Sequence, residues 1–136
     1  MSKIFIDTNI LVYSMDSNDP GKKEKCRNIL KNIREKQNGV ISTQVLQEFY
    51  VTTTKKLKVE PFIVKNIIHS LENFEIVTIN VEIIKEAIDC SILNQISFWD
   101  SLIIAAAEYS RCDQVWTEDL NNGQIIRGVK IYNPLI

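Results

Sequence analysis

"KIFIDTNILVY", residues 3–13, reads as a short buried strand that reaches Asp7 and turns at once into a second apolar stretch. Between Ile4 and Met15 that carboxylate is the only formal charge. An ionised carboxylate in apolar surroundings must be paired, hydrogen-bonded or metal-bound, or else its pKa rises until it is neutral. The stretch therefore sets two expectations together: a strand belonging to a covered sheet, and an acid with a task at the strand's end.

Other apolar runs of strand length follow at Gly39–Ser42, Phe74–Ile79, Gln114–Thr117 and Val129–Tyr132, with Lys3–Ile6 as the first. Helical periodicities lie between them. "DPGKKEKCRNILKNIREK" opens with Asp19 as N-cap and Pro20 at the first helical position, and places Cys26, Ile29, Leu30 and Ile33 on one stripe. "TQVLQEFYVTTTKKLK" and "PFIVKNIIHSLEN" form a helical pair inserted between strands; "NVEIIKEAIDCSILNQ" is capped by Asn80. "SFWDSLIIAAAEYSR" is so apolar that it suits a helix packed deep against a sheet. "DLNNGQIIRG" reads as a loop. Short unbroken apolar strands alternating with helices indicate an α/β fold, a parallel sheet covered on both faces.

At 136 residues the size prior gives one domain, 1–136. The 45% hydrophobic and 24% charged fractions are those of an ordinary globular chain, and no apolar run approaches membrane-span length. "MSKIFID" enters a strand pattern with no apolar signal segment before it, so a cytoplasmic location and no membrane are expected. Cys26, Cys90 and Cys112 have no metal-site or redox spacing and read as buried free thiols. His69, the single histidine, reads as solvated or at the core edge; a Ser/His/Asp hydrolase and a His-rich zinc site find little support. The net charge of −1 conceals segregation: residues 22–58 carry ten Lys and Arg against three acids. Most of that run suits the solvated side of an amphipathic helix.

Asp7 has company. Glu48 is the only charge between Gly39 and Thr54, Asp100 the only one between Cys90 and Ala107, and Asp119 follows the fourth strand run in "QVWTEDL". In a parallel α/β sheet, strand C-terminal ends and helix N-terminal ends meet at one edge, where ligands bind. Asp7 and Asp119 fall at strand ends, Asp100 in a first helical turn, and Glu48 about a turn and a half into its helix. Taken singly, Asp7 and Asp119 fit as caps, and S-F-W-D fits a capping box with Asp in place of Glu. Glu48 is too far along its helix to cap it. The joint placement at one edge favours a site for a hard divalent cation, since Mg²⁺ takes carboxylate oxygens from separate elements and leaves room for substrate phosphates. Phosphodiester hydrolysis of that kind requires no histidine.

The motifs "FIDTNILVY", "STQVLQEFY", "FWDSLIIAAA" and "WTEDLNNG" followed by "YNP" resemble, in that order, a PIN domain, and among PIN domains the VapC-type toxin ribonucleases of toxin-antitoxin pairs. The resemblance covers essentially the whole chain. It implies a three-layer α/β/α sandwich around a parallel sheet of four to five strands, and a Mg²⁺- or Mn²⁺-dependent endoribonuclease. It carries metal-binding and catalytic roles to Asp7, Glu48 and Asp100, with Asp119 as a more variable fourth acid, and supporting polar roles to Asn9 and Thr117. Glu118 adjoins Asp119, and the T-x-D spacing from Thr117 favours Asp119. An RNA substrate, a cognate antitoxin and a homodimer are further implications. The basic segment 22–58 gains weight as an RNA-facing surface, since Lys and Arg contacts to phosphates supply most non-specific affinity.

Two other functions compete. A PIN-type nuclease that processes RNA without being a toxin would carry the same acids. A Mg²⁺-dependent phosphotransfer or signalling domain would show adjacent acids or D-x-D at the first motif, where this chain has D-T-N, and a free lysine after the last strand, where Lys130 lies inside it. A binder that kept the fold and lost activity fits poorly with an intact acid set.

Overall fold

The computed structural model describes residues 2–136. Six helices and six strands follow in the order β1 (Ile4–Ile6), α1 (Thr8–Tyr13), α2 (Pro20–Lys36), β2 (Gly39–Ser42), α3 (Thr43–Lys55), α4 (Pro61–Leu71), β3 (Glu75–Val77), α5 (Val81–Asn94), α6 (Phe98–Tyr109), β4 (Gln114–Trp116), β5 (Ile125–Ile126) and β6 (Val129–Tyr132). The sheet order is β3-β2-β1-β4-β6-β5. Every pairing is parallel except β5 with β6. Helix α1 packs against α2 and α3, α3 packs against α4, and α5 packs closely on α6, so the sheet lies between two helical groups in an α/β/α sandwich.

The expected parallel sheet is present with five strands, β3, β2, β1, β4 and β6. One expectation needs correction, because "QIIRG" in the expected loop forms half of a hairpin that adds β5 as a sixth, antiparallel edge strand. Arg127 and Gly128 are its two turn residues, flanked by the Ile126–Val129 pair, and both have positive φ, 51° and 80°. Positive φ at both central positions is the signature of the turn that matches strand twist, usually marked by Asn-Gly or Asp-Gly. Arginine rarely adopts it, so the signal is hidden in the sequence. Arg127 is held by ion pairs to Glu86 and to Glu108, the latter at 3.0 Å.

The core follows the apolar runs. Phe5, Ile6, Val40, Ile41, Val115 and Ile131 are buried in the strands, each contributing about 1.5–3 kcal/mol relative to exposure. Leu102 through Ala107 of α6 are all buried, as the helix's composition predicts. Helix α2 buries Cys26, Leu30 and Ile33 and leaves Lys25, Lys31 and Lys36 exposed. The caps at Asp19, Asn80 and Ser97 accept from the backbone N–H groups of Lys22, Ile83 and Asp100 at 3.2, 2.9 and 3.0 Å. All three cysteines are free and buried, and burial pushes the Cys26 and Cys112 thiols up to about 11. His69 is exposed beside Glu72.

From β1 the chain steps outward through β2 to β3, then returns to place β4 on the other side of β1. The β1–β4 junction is therefore a topological switch point, the place where open α/β sheets form ligand crevices. Asp7 follows β1 and Thr117 follows β4, so both stand at that crevice. Among the described residues no single helix is long and apolar enough to cross a membrane.

Candidate active site

The residue after β1 is Asp7, and it is doubly used. Its Oδ1 accepts from the Thr8 backbone N–H at 2.7 Å, which caps α1. Its Oδ2 accepts from the Thr117 hydroxyl at 2.7 Å, across the switch point. Only 5% of Asp7 is exposed. Burial raises its pKa to about 7, against the lowering effect of those two hydrogen bonds, and the charges of Asp119 and Glu48 raise it further. Capping explains one of its oxygens; it does not explain why an acid rather than serine or asparagine bears that penalty.

Thr117 organises the crevice around its hydroxyl. The same oxygen accepts from the Asn9 side-chain amide at 3.3 Å and from the Asp119 backbone N–H at 3.0 Å. Asp119 stands at the mouth, where partial loss of hydration raises its pKa; a hydrogen bond from Asn9 lowers it, and the charges of Asp100, Glu118 and Glu48 raise it. Glu48, on α3, is aimed by two donors: the Thr8 hydroxyl at 2.8 Å and the Gln44 side-chain amide at 3.4 Å. Gln44 also donates to the Trp99 backbone carbonyl at 3.2 Å, tying α3 to the first turn of α6, where Asp100 sits half-buried. Ser97 accepts from the Asp100 N–H, and the Asp100 carboxylate makes no hydrogen bond among the described residues, so only one half of the capping box forms. The four acids are thus electrostatically coupled through Asp7 and Asp119.

A cleft of about 820 Å³ opens over this arrangement. Thr8, Asn9, Gln44, Glu48, Trp99 and Asp119 line it, together with Asp16, Lys56 and Glu118; Asp7 and Asp100 do not. Asp16 accepts from the Asn18 N–H at 3.0 Å in a local turn. Glu118 is occupied elsewhere: the Tyr13 hydroxyl donates to it, and the Lys22 amine lies 3.5 Å away and 4.4 Å from the Tyr13 ring centroid. This engagement leaves Asp119 as the acid beside Thr117. Of the basic segment, Lys22 is taken up by Glu118 and Lys56 faces the cleft.

The donors around the crevice are oxygens. Besides the carboxylates, the Asn9 and Gln44 side-chain carbonyl oxygens are buried and without hydrogen-bond partners. Buried acceptors left unpaired beside crowded carboxylates are what a hard cation would satisfy, so the residues fit Mg²⁺ or Mn²⁺. Among the described residues, no group of three or more Asp, Glu, His or Cys side chains is placed to hold an ion by itself.

Thr8, Gln44 and Tyr13 were not among the residues singled out from sequence, and Glu118 was named there only as the neighbour of Asp119, without its engagement by Tyr13 and Lys22. Gln44 stands one helical turn before Glu48, a spacing at which side chains meet, and that was its available signal. Thr8 pairs with a residue 40 positions away, a contact that no local pattern reveals.

The family model described as PIN domain matches residues 4–125. No curated protein matches the sequence. Among solved structures, the chain is similar to a toxin-antitoxin complex from Klebsiella pneumoniae, at 21% identity and TM-score 0.71, covering 98% of each chain. It is similar to VapBC2 from Rickettsia felis bound to a DNA fragment from their promoter, at 20% identity and TM-score 0.67, covering 96% of this chain and 97% of that one. It is also similar to VapC20 from Mycobacterium tuberculosis, a Sarcin-Ricin loop cleaving toxin, at 14% identity and TM-score 0.69, covering 86% and 92%. At these identities the likeness establishes the fold. The family match runs from β1 into β5 and takes in Asp7, Glu48, Asp100 and Asp119; the chain belongs to the PIN domain family.

Proposed function

We propose that the chain, as one domain over residues 1–136, is a divalent-metal-dependent endoribonuclease and the toxin half of a toxin-antitoxin pair acting in the cytoplasm. One observation carries this reading: a buried Asp7 whose pKa is driven up to about 7 at a switch-point crevice, with Glu48 and Asp119 adding their charges from other elements. A protein keeps such a penalty where a cation relieves it. The RNA substrate and the antitoxin partner are supported by the similar structures, which include a Sarcin-Ricin loop cleaving toxin and toxin-antitoxin complexes. A homodimer is supported by an exposed apolar stripe on α5, Val81, Ile84, Ile88 and Ile92, at helical spacing.

Each side chain has a definable task. Asp7, Glu48, Asp100 and Asp119 would hold Mg²⁺ or Mn²⁺, which when bound lowers the pKa of an attacking water and offsets the charge on the phosphate and the leaving oxygen. Thr117 and the Thr8 N–H fix the two Asp7 oxygens. Thr8 and Gln44 fix the Glu48 carboxylate. Lys56, on the cleft wall, would attract the RNA backbone.

Purified chain incubated with structured RNA and Mn²⁺ or Mg²⁺ tests the reading. Cutting that stops on chelation and in Asp7→Asn or Asp100→Asn is the expected result; cutting that survives both substitutions overturns it.

A further inference from the structure

The cleft holds one feature that metal chemistry leaves unused. Trp99, at the start of α6, is 61% exposed although it is among the largest apolar side chains in the molecule, and it lines the same cleft as Glu48 and Asp119. Its backbone is fixed: the carbonyl accepts from Gln44, which also donates to Glu48. Its ring is braced edge-to-face on Phe98, with centroids 5.2 Å apart and planes at 75°. An indole this exposed commonly marks nothing more than surface composition. Here it is set one residue before an acid of the candidate site, on a rigid first turn, against a cleft with Lys56 on its wall.

We propose that Trp99 is a stacking platform for an unpaired RNA base next to the scissile phosphate, so that the enzyme selects single-stranded or unstacked positions. This rests on the nuclease reading above. A π-face accepts any base, and stacking on an exposed aromatic is sequence-tolerant, so the selection is for strand state rather than for base identity. An apolar side chain of a protein partner is the competing occupant. The cleft's Gln44, Gln47 and Thr52, with Lys56, favour a base attached to a phosphate chain over an apolar side chain alone.

Tryptophan emission gives a direct readout, because the chain has two tryptophans and Trp116 is half-buried, donating to Gln114 at 2.8 Å. Oligoadenylate should quench the emission of the Asp7→Asn chain, which binds without cutting, whereas a fully paired RNA duplex should quench it far less. Adding Trp99→Phe should abolish the response from this position and keep affinity within a few-fold. In the otherwise wild-type chain, Trp99→Ala should raise KM for oligoadenylate about tenfold, with kcat and melting temperature little changed. Unaltered KM in Trp99→Ala, equal quenching by duplex and single strand, or quenching only by an apolar peptide overturns the inference while leaving the nuclease reading in place. Failure of the wild-type chain to cut any RNA would remove the nuclease reading and this inference with it.

Discussion

Asp7 joins its local and global roles through one pair of oxygens. Folding raises its pKa from the ordinary 3.8 to about 7, so between about pH 4 and pH 7 the folded chain retains a proton that the unfolded chain has lost. Metal-free stability therefore falls as pH rises through that window and levels off above it. Asp7→Asn removes the penalty: in EDTA at pH 8 the variant should be more stable than wild type by on the order of a few kcal/mol, read by denaturant melts, although it should not cut RNA. Wild-type stability that increases with pH across the window contradicts the assignment. Thr117→Val removes the hydroxyl shared by Asp7, Asn9 and the Asp119 N–H, and should cost about 1–3 kcal/mol and reduce cleavage. Asp7 was legible in the sequence because its isolation among apolar residues is itself the signal. The Thr117 hydroxyl that holds it lies 110 positions away, and only the resemblance pointed to it.

Elements place the acids, and their packing can be probed separately from the chemistry. Gly39 opens β2 directly under α2, where an added Cβ would meet Ile33 Cγ2 at 2.6 Å and the Phe74 ring at 2.6 Å. Gly39→Ala should cost roughly 1–3 kcal/mol by overpacking, with the proposed metal-dependent cleavage intact in the folded fraction. The loop after β4 carries two adjacent acids with different tasks. Glu118→Gln loosens the contact to Tyr13 and Lys22 on α1 and α2 and should cost less than about 1 kcal/mol, whereas Asp119→Asn should slow single-turnover cleavage. The reverse ranking of cleavage rates would make Glu118 the fourth acid. Unbroken apolar strands and capped helices were readable from sequence, since burial on both faces writes itself as composition. The β5–β6 hairpin was not, because its turn uses Arg127 where glycine, asparagine or aspartate is the usual sign.

Across the whole molecule, the order of strands matters more than any one motif. Because β4 returns beside β1, residues from the beginning and the end of the chain meet at one crevice, and the helices after β2 and before β4 bring Glu48 and Asp100 toward the same edge. The sequence shows three isolated acids and a fourth, Asp119, beside Glu118; that they face one edge follows from the parallel topology, and their coupling is seen in the raised pKa values of Asp7 and Asp119. Side-chain aiming by Thr8 and Tyr13 depends on contacts between distant elements and stays invisible until the fold is known, whereas Gln44 reaches Glu48 from one turn earlier in the same helix. Calorimetric titration of Mn²⁺ into wild type, Asp7→Asn, Asp100→Asn and Glu118→Gln, with RNA cleavage followed in the same samples, joins metal binding to chemistry. Wild type and Glu118→Gln should bind Mn²⁺ and cut, while Asp7→Asn and Asp100→Asn should lose binding and slow cutting by roughly 100-fold or more. Undiminished Mn²⁺ binding together with undiminished cutting in Asp7→Asn and Asp100→Asn would contradict a metal-dependent nuclease at this edge of the sheet.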